Sequence, residues 1–190
     1  MTDQHTSPGL TDPAGPAGQE DPACDVAHGA APAPVSSRTL VAVFASPVAR
    51  YLLRYAGDAG YRPVLVEPDP QRAQQEGQAG AGIIVSAGLG GYLDGATDVV
   101  VTDHHRPELG PVLRDALAGR TRWVGVMGNP KHPAPHVPAL AALGVAEADI
   151  SRVHRPIGLN IGSRTPAEIA VATLAGLIAA RNGRPGGFEF

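Results

Sequence analysis

The residues with the clearest chemical potential form a short polar run, Asp103-His104-His105. A carboxylate beside an imidazole can act as an acid/base pair, and two histidines can ligate a metal ion. Adjacent histidines on a loop are also common as surface polar residues, so both interpretations stay open. His132 and His136 have the i,i+4 spacing of a helical zinc pair, but the prolines at 133 and 135 disfavour a helix between them. We therefore assign no metal-ligating residue.

Nucleophilic catalysis has no recognisable centre in this sequence. The single cysteine, Cys24, lies in the N-terminal segment, which excludes an intramolecular disulfide and a cysteine metal cage. No serine has a recognisable base partner. We therefore assign no catalytic residue, and the sequence favours a protein that binds its ligand over one that turns over a metabolite.

The elements that must position these residues follow a strand–helix alternation. Continuous apolar runs predict strands buried on both faces, and apolar residues at helical spacing predict the intervening helices. The last helix is the best marked, because Thr165-Pro-Ala-Glu168 is a capping box with proline in the first turn. The alternation predicts an α/β fold, with a doubly wound, mostly parallel, Rossmann-like sheet and helices on both faces. The predicted strands are 39–45, 63–67, 83–85, 98–102 and 123–127, and the predicted helices start at 47, 107, 138 and 166.

In such a sheet, ligands bind at the carboxyl ends of the strands, beside the point where the strand order reverses. Four predicted strand ends and the loop before the last helix should therefore meet in one cleft. The glycines of that loop either permit tight turns or let a ligand approach the backbone, and both interpretations stay open. The candidate cofactor-binding residues are Ser46, Pro47, Glu67, Asp103, His104, Gly128, Asn129, Gly158, Asn160 and Gly162.

The turn after the first predicted strand lacks the glycines of a dinucleotide-binding loop. The pattern G-x-G-x-x-G lets the backbone approach a pyrophosphate, whereas Ala45-Ser46-Pro47 places side chains there. NAD(P) binding is therefore disfavoured, although the start of the next helix still attracts an anion. Glu67 follows the second predicted strand, at the distance from the first strand where a dinucleotide-binding domain has the acid that binds the ribose and repels a 2′-phosphate. The alternative is that Glu67 is a solvated acid at a strand end.

Residues 1–38 differ in composition from the rest of the chain. They hold six prolines, four glycines and five acids against one base, and such a segment cannot bury enough surface to offset its ordering entropy. We predict a disordered tail at 1–38 and a Rossmann-like domain at 39–190. Neither a signal-peptide pattern nor a membrane-length apolar run is present, so we expect a cytoplasmic protein.

The distribution of charge bears on the partners. The chain has 15 basic and 18 acidic residues and a formal net charge of -3. Residues 39–190 contain 14 of the basic and 13 of the acidic residues, so this part of the chain is close to neutral. No basic stripe of the kind that binds phosphate backbones is present. We therefore expect neither nucleic acid nor a membrane as partner.

Three stretches resemble the XdhC/CoxI family. Arg155–Ala170 is similar to that family's C-terminal signature, in which a P-I-G-L-D-I-G loop leads into a T-P-E-E-I-A helix. Trp123–Gly128 resembles its Y-V-G-L-L-G strand and turn. Thr102–His105 resembles its T-H-D-H, with the middle pair exchanged. The three stretches occur in the family's order, and the resemblance extends over roughly residues 39–183.

The resemblance implies the C-terminal Rossmann domain of a maturation factor for molybdenum hydroxylases such as xanthine dehydrogenase and carbon monoxide dehydrogenase. Such factors bind the molybdenum cofactor, promote its sulfuration and deliver it to the apoenzyme. The implied partners are the hydroxylase subunits, and a homodimer is left open.

Two departures from the family keep alternatives open. The family's N-terminal domain has no counterpart in residues 1–38, which makes a separately encoded protein of that type another expected partner. The family's G-x-G loop is replaced by Ala45-Ser46-Pro47, which bears on nicotinamide binding. The alternatives to a maturation factor are an NAD-dependent oxidoreductase on the same fold and a degenerate, non-catalytic adaptor.

Overall fold

The computed structural model describes residues 22–32, 37–77, 82–129 and 131–187, and contacts divide the chain into two units, 1–35 and 36–190. The described part of the first unit contains a short helix, α1 (Pro22–Ala27), where the sequence predicted no regular structure. Proline at the first position and Asp25 in the first turn both suit a helix start. The rest of the predicted tail, 1–21 and 33–36, lies outside the described residues.

The second unit is built on a six-stranded parallel sheet with the order β3-β2-β1-β4-β5-β6. This order confirms the predicted doubly wound Rossmann-like fold and places the switch point between β1 and β4. Every residue of these two central strands is buried, as their apolar runs predicted, and the burial includes Asp98 of β4, which is paired with Arg122. The strands are β1 Thr39–Val43, β2 Arg62–Val66, β3 Ile84–Ser86, β4 Thr97–Val101, β5 Trp123–Val126 and β6 Val153–His154.

Side-chain caps mark the start of the two longest helices. The Ser46 side chain caps α2, and Thr165 with Glu168 forms the predicted capping box of α7. Three short elements of this unit, α3, α6 and β6, were not predicted. The helices are α2 Pro47–Asp58, α3 Pro70–Gly77, α4 Leu109–Ala118, α5 His136–Ala141, α6 Glu147–Ile150 and α7 Pro166–Arg181.

The core consists of two layers, one on each face of the sheet. On one face, α2 and α7 bury residues such as Leu52 and Leu177 against β1 and β4. On the other face, α4 and α5 bury Leu113 and Leu140 against the same strands. The connection from β3 to β4 contains no helix, and its Leu89 packs into this second layer. Both faces are therefore covered, which leaves the carboxyl edge of the sheet as the place for a ligand.

None of the helices within the described ranges has the length and apolar character that a membrane span needs.

Candidate functional site

A cleft of about 730 Å³ lies at the carboxyl edge of the sheet. Five separate segments meet in it: the first turn of α2, the end of β4, the turn after β5, the loop 156–163 and the first half of α7. Six of the ten predicted cofactor-binding residues line this cleft, whereas Ser46, Pro47, Glu67 and Asp103 do not. Those that do are His104, Gly128, Asn129, Gly158, Asn160 and Gly162.

The loop 156–163 forms one wall of the cleft and lies directly on α7. The Leu159 amide donates a hydrogen bond to the Ala172 carbonyl at 3.0 Å. Gly158 has a φ of +86°, and a Cβ there would stand 3.0 Å from the backbone nitrogen of Thr173. Gly162 has a φ of +69° but faces open space. Gly158 therefore allows both the turn and the close approach to α7, whereas Gly162 allows only the turn and leaves room beside the backbone.

Arg155 connects the loop 156–163 to the turn after β5. Its Nη2 donates to the Asn129 carbonyl at 3.0 Å, and its Nη1 donates to the His132 carbonyl at 3.3 Å. A Cβ at Gly128 would stand 2.6 Å from the Arg155 Nε, so the glycine makes room for the guanidinium. The sequence prediction missed Arg155, although it begins the stretch that carries the strongest family resemblance.

His104 is the partly buried imidazole of the cleft. Burial lowers the pKa of His104, and the neighbouring His105 and Arg155 lower it further. A backbone hydrogen bond with Met127 and the charge of Asp103 act in the opposite direction. The net effect favours the neutral ring at physiological pH. Asp103 accepts the His105 backbone N–H at 2.9 Å, which holds this turn closed.

The environment of Glu67 differs from the two that the sequence suggested, a ribose-binding site and solvent. Its side chain is fully buried, so the prediction of a solvated strand-end acid is wrong. Its Oε2 accepts from the Ala45 amide at 2.8 Å, and its Oε1 accepts from the Asp69 amide at 3.0 Å. Arg106 contacts both oxygens, at 3.3 and 3.0 Å. A ribose hydroxyl would have to displace one of these partners, so the structure gives Glu67 an internal role.

This ion pair holds a strained turn after β1. Phe44 has a φ of 71°, and its ring lies 4.7 Å beneath the Arg106 guanidinium. A left-handed phenylalanine costs about 1–3 kcal/mol, which the surrounding contacts must offset. Arg106 was not predicted, because no local pattern connects it to a carboxylate 39 positions earlier.

Ser46 and Pro47 also have local partners. The Ser46 hydroxyl accepts from the Ala49 amide and donates to Thr102 Oγ1, both at 3.0 Å. The Thr102 hydroxyl lies 2.8 Å from the Phe44 carbonyl. Pro47 lines a separate cavity of about 950 Å³ between α2 and the start of α7. Two amides at this helix start, those of Ala45 and Ala49, already donate to Glu67 and Ser46.

No metal centre was predicted at the histidines. Within the described ranges, no group of three or more His, Cys, Asp or Glu side chains is arranged to hold a metal ion. His136 is buried in α5, with its pKa lowered by burial and by Arg155, while His132 is exposed.

Comparison with known proteins adds a family to this geometry. The XdhC Rossmann domain matches residues 40–177. The uncharacterized protein YqeB of Escherichia coli strain K12 is 33% identical over 89 residues, which is 47% of this chain and 16% of YqeB. The crystal structure of a xanthine dehydrogenase from Bacillus halodurans aligns with a TM-score of 0.61 and 20% identity, over 80% of this chain and 45% of that one. The chain thus spans less than half the length of each of these two relatives.

Proposed function

The chain belongs to the XdhC Rossmann-domain family, and from that membership we propose that it acts in the maturation of a molybdenum hydroxylase of the xanthine dehydrogenase or carbon monoxide dehydrogenase type. In this role it binds the molybdenum cofactor in the cleft and hands it over, without turning over a metabolite. Its partners are the hydroxylase subunits and a separately encoded protein of the family's N-terminal type. The proposed place of action is the cytoplasm.

One observation carries the proposal: the three stretches that resemble the XdhC/CoxI family all reach the same cleft. Thr102 and His104 come from the first stretch, and Met127 and Gly128 come from the second and its turn. The third stretch supplies the loop 156–163 and the start of α7. These segments are distant in sequence, so a shared ligand site accounts for their meeting better than three unrelated structural roles do.

The cleft suits a cofactor of the size and polarity of a pterin. Its volume of about 730 Å³ lies within the usual range for small-molecule sites. The side chains of Met127, Ile157 and Ile169 provide apolar contact area, and those of Asn129 and Asn160 provide hydrogen-bonding groups. These residues would hold the cofactor, whose molybdenum supplies the hydroxylation chemistry once it is in the client enzyme.

Ile161 in the cleft loop is 56% exposed and offers an apolar contact beside the proposed ligand site, where a protein that receives the cofactor would dock. The same side chain would serve the adaptor alternative, which differs in predicting no cofactor binding. The dehydrogenase alternative is disfavoured by the Glu67 carboxylate that occupies the Ala45 amide.

The test is a strain that lacks the gene and any paralogue. Its hydroxylase should be made in normal amount but lack the molybdenum cofactor or the cofactor's sulfido ligand, and the wild-type protein should restore activity. Asn160→Trp, which places a large ring in the cleft, should fail to restore it. Arg114→Trp on the exposed face of α4 is the matched control and should succeed. A fully active, cofactor-replete hydroxylase in the deletion strain would contradict the proposal.

A further inference from the structure

A second cavity of about 490 Å³ adjoins the cleft and shares His104 and Asn129 with it. Four of the six residues that line it have side chains with ring or amide nitrogens, and the other two are prolines. The described lining contains three imidazoles, one amide and no carboxylate. These residues are His104, His105, Asn129, His132, Pro133 and Pro135, and we refer to the space they enclose as the histidine annex.

The Asn129 side chain has a fixed orientation in this annex. Its Oδ1 accepts the backbone N–H of Lys131 at 2.9 Å, so its amide nitrogen is the group left to donate. The Asn129 carbonyl accepts from the His132 amide and from Arg155 Nη2, both at 3.0 Å. The turn that bears Asn129 and His132 is therefore held in place before any ligand arrives.

The charges around the annex favour an anion. The Arg155 Nη1 donates a hydrogen bond to the His132 carbonyl of the turn after β5. Lys131 belongs to the same turn and adds a second cation. Asp103 is the opposing charge, and its carboxylate accepts the His105 backbone N–H. A site with N–H donors, nearby cations and no carboxylate in its lining matches the requirements of an oxyanion.

We propose that the histidine annex binds a tetrahedral oxyanion, either free or as the phosphate group of an organic ligand in the adjoining cleft. The imidazoles of His105 and His132 and the amide of Asn129 are the donors. A metal ion is the other ligand that histidines attract, but the described residues offer no metal-holding group of three. This inference does not depend on the proposed role in hydroxylase maturation.

Binding at the annex should be coupled to protonation of His104. One nitrogen of the His104 ring is hydrogen-bonded to the Met127 backbone, so a bound anion would contact the other nitrogen. Burial, His105 and Arg155 keep the free ring neutral, and Asp103 opposes them. The negative charge of an oxyanion favours the protonated ring, so binding takes up a proton and becomes stronger as the pH falls.

The experiment is a calorimetric titration of the full chain with sulfate, molybdate, inorganic phosphate and glycerol phosphate, with histidine signals followed by NMR. We expect sulfate affinity to rise as the pH falls from about 8 to 6, by up to about tenfold per pH unit. Signals of His105 and His132 should shift with every oxyanion. Tighter binding of glycerol phosphate than of inorganic phosphate would identify the phosphate group of an organic ligand, and equal binding would identify a free oxyanion.

Asn129→Asp is the most direct variant, because it retains the acceptor for Lys131 and replaces the donor with a carboxylate. It should weaken sulfate binding by at least about tenfold through charge repulsion. His105→Gln combined with His132→Gln should also weaken it, whereas the exposed Arg114→Gln on α4 should not. Unchanged affinity in Asn129→Asp, or histidine signals that respond to zinc and to none of the four oxyanions, would overturn the proposal.

Discussion

The turn after β1 and the loop before α7 lie at the same edge of the sheet but differ in how their backbones are used. In the first, the Ala45 amide, the Ser46 hydroxyl and the Phe44 carbonyl all have partners within the protein. In the second, the loop 156–163 is fixed to α7 on one side and lines the cleft with the other. The comparison indicates that internal contacts occupy the usual dinucleotide position of this Rossmann domain, whereas the adjacent loop leaves one face open to the cleft.

The largest expected effect comes from breaking the closed turn at Glu67. Glu67→Ala removes the buried partner of Arg106, leaves that cation only the more exposed Glu108 carboxylate, and frees the Ala45 amide. Removing one partner of such a buried pair costs about 3–5 kcal/mol, measurable as a lower free energy of unfolding in urea. Asp115→Ala removes the exposed pair with Arg114 and is the control with little expected effect. A loss below about 1 kcal/mol for Glu67→Ala would show that the ion pair does not hold the turn.

Much of the fold could be predicted from the sequence, because strands and helix caps depend on local residues. The contacts between residues distant in sequence could not. The apolar runs predicted five of the six strands of the sheet, and the capping box predicted the start of α7, because both depend on local sequence. The pairing of Glu67 with Arg106 depends on two strand ends meeting across the sheet, which leaves no local pattern. β6 has only two residues, too few for a periodicity. The convergence of loops was predictable from topology, but not which side chains turn inward.

A smaller effect should separate the two glycines of the open loop. Gly158→Ala adds a Cβ that meets the α7 backbone and also suffers a left-handed φ, whereas Gly162→Ala suffers only the φ. We expect about 1–2 kcal/mol of lost stability for Gly162→Ala and a larger loss for Gly158→Ala, compared by thermal unfolding. Equal losses would mean that the loop does not rest on α7 as closely as described.

The pH dependence of stability should reflect the buried His136. Burial and Arg155 lower its pKa in the folded state, so the unfolded chain binds a proton first as the pH falls. Stability is therefore unaffected by this group well above about pH 6.5 and declines as the pH drops below that value. His136→Gln should flatten this decline relative to the wild type when urea unfolding is measured across the range. An identical decline in both proteins would assign the effect to other groups.

The smallest expected signal is that of a nicotinamide dinucleotide. Because the Ala45 amide donates to Glu67, calorimetric titration with NAD or NADP should give weak or undetectable heat. A dissociation constant in the low micromolar range, about -8 kcal/mol, would show that the turn opens for a dinucleotide.

The contrast between the two loops is tested most directly by retention of molybdenum cofactor released from a purified hydroxylase, measured by ultrafiltration and pterin fluorescence. Asn160→Ala removes a cleft side chain and should weaken retention by at least about tenfold. Ser46→Ala removes the hydroxyl of the closed turn and should retain the cofactor like the wild type. Strong loss in Ser46→Ala with normal retention in Asn160→Ala would contradict the assignment of the ligand to the cleft.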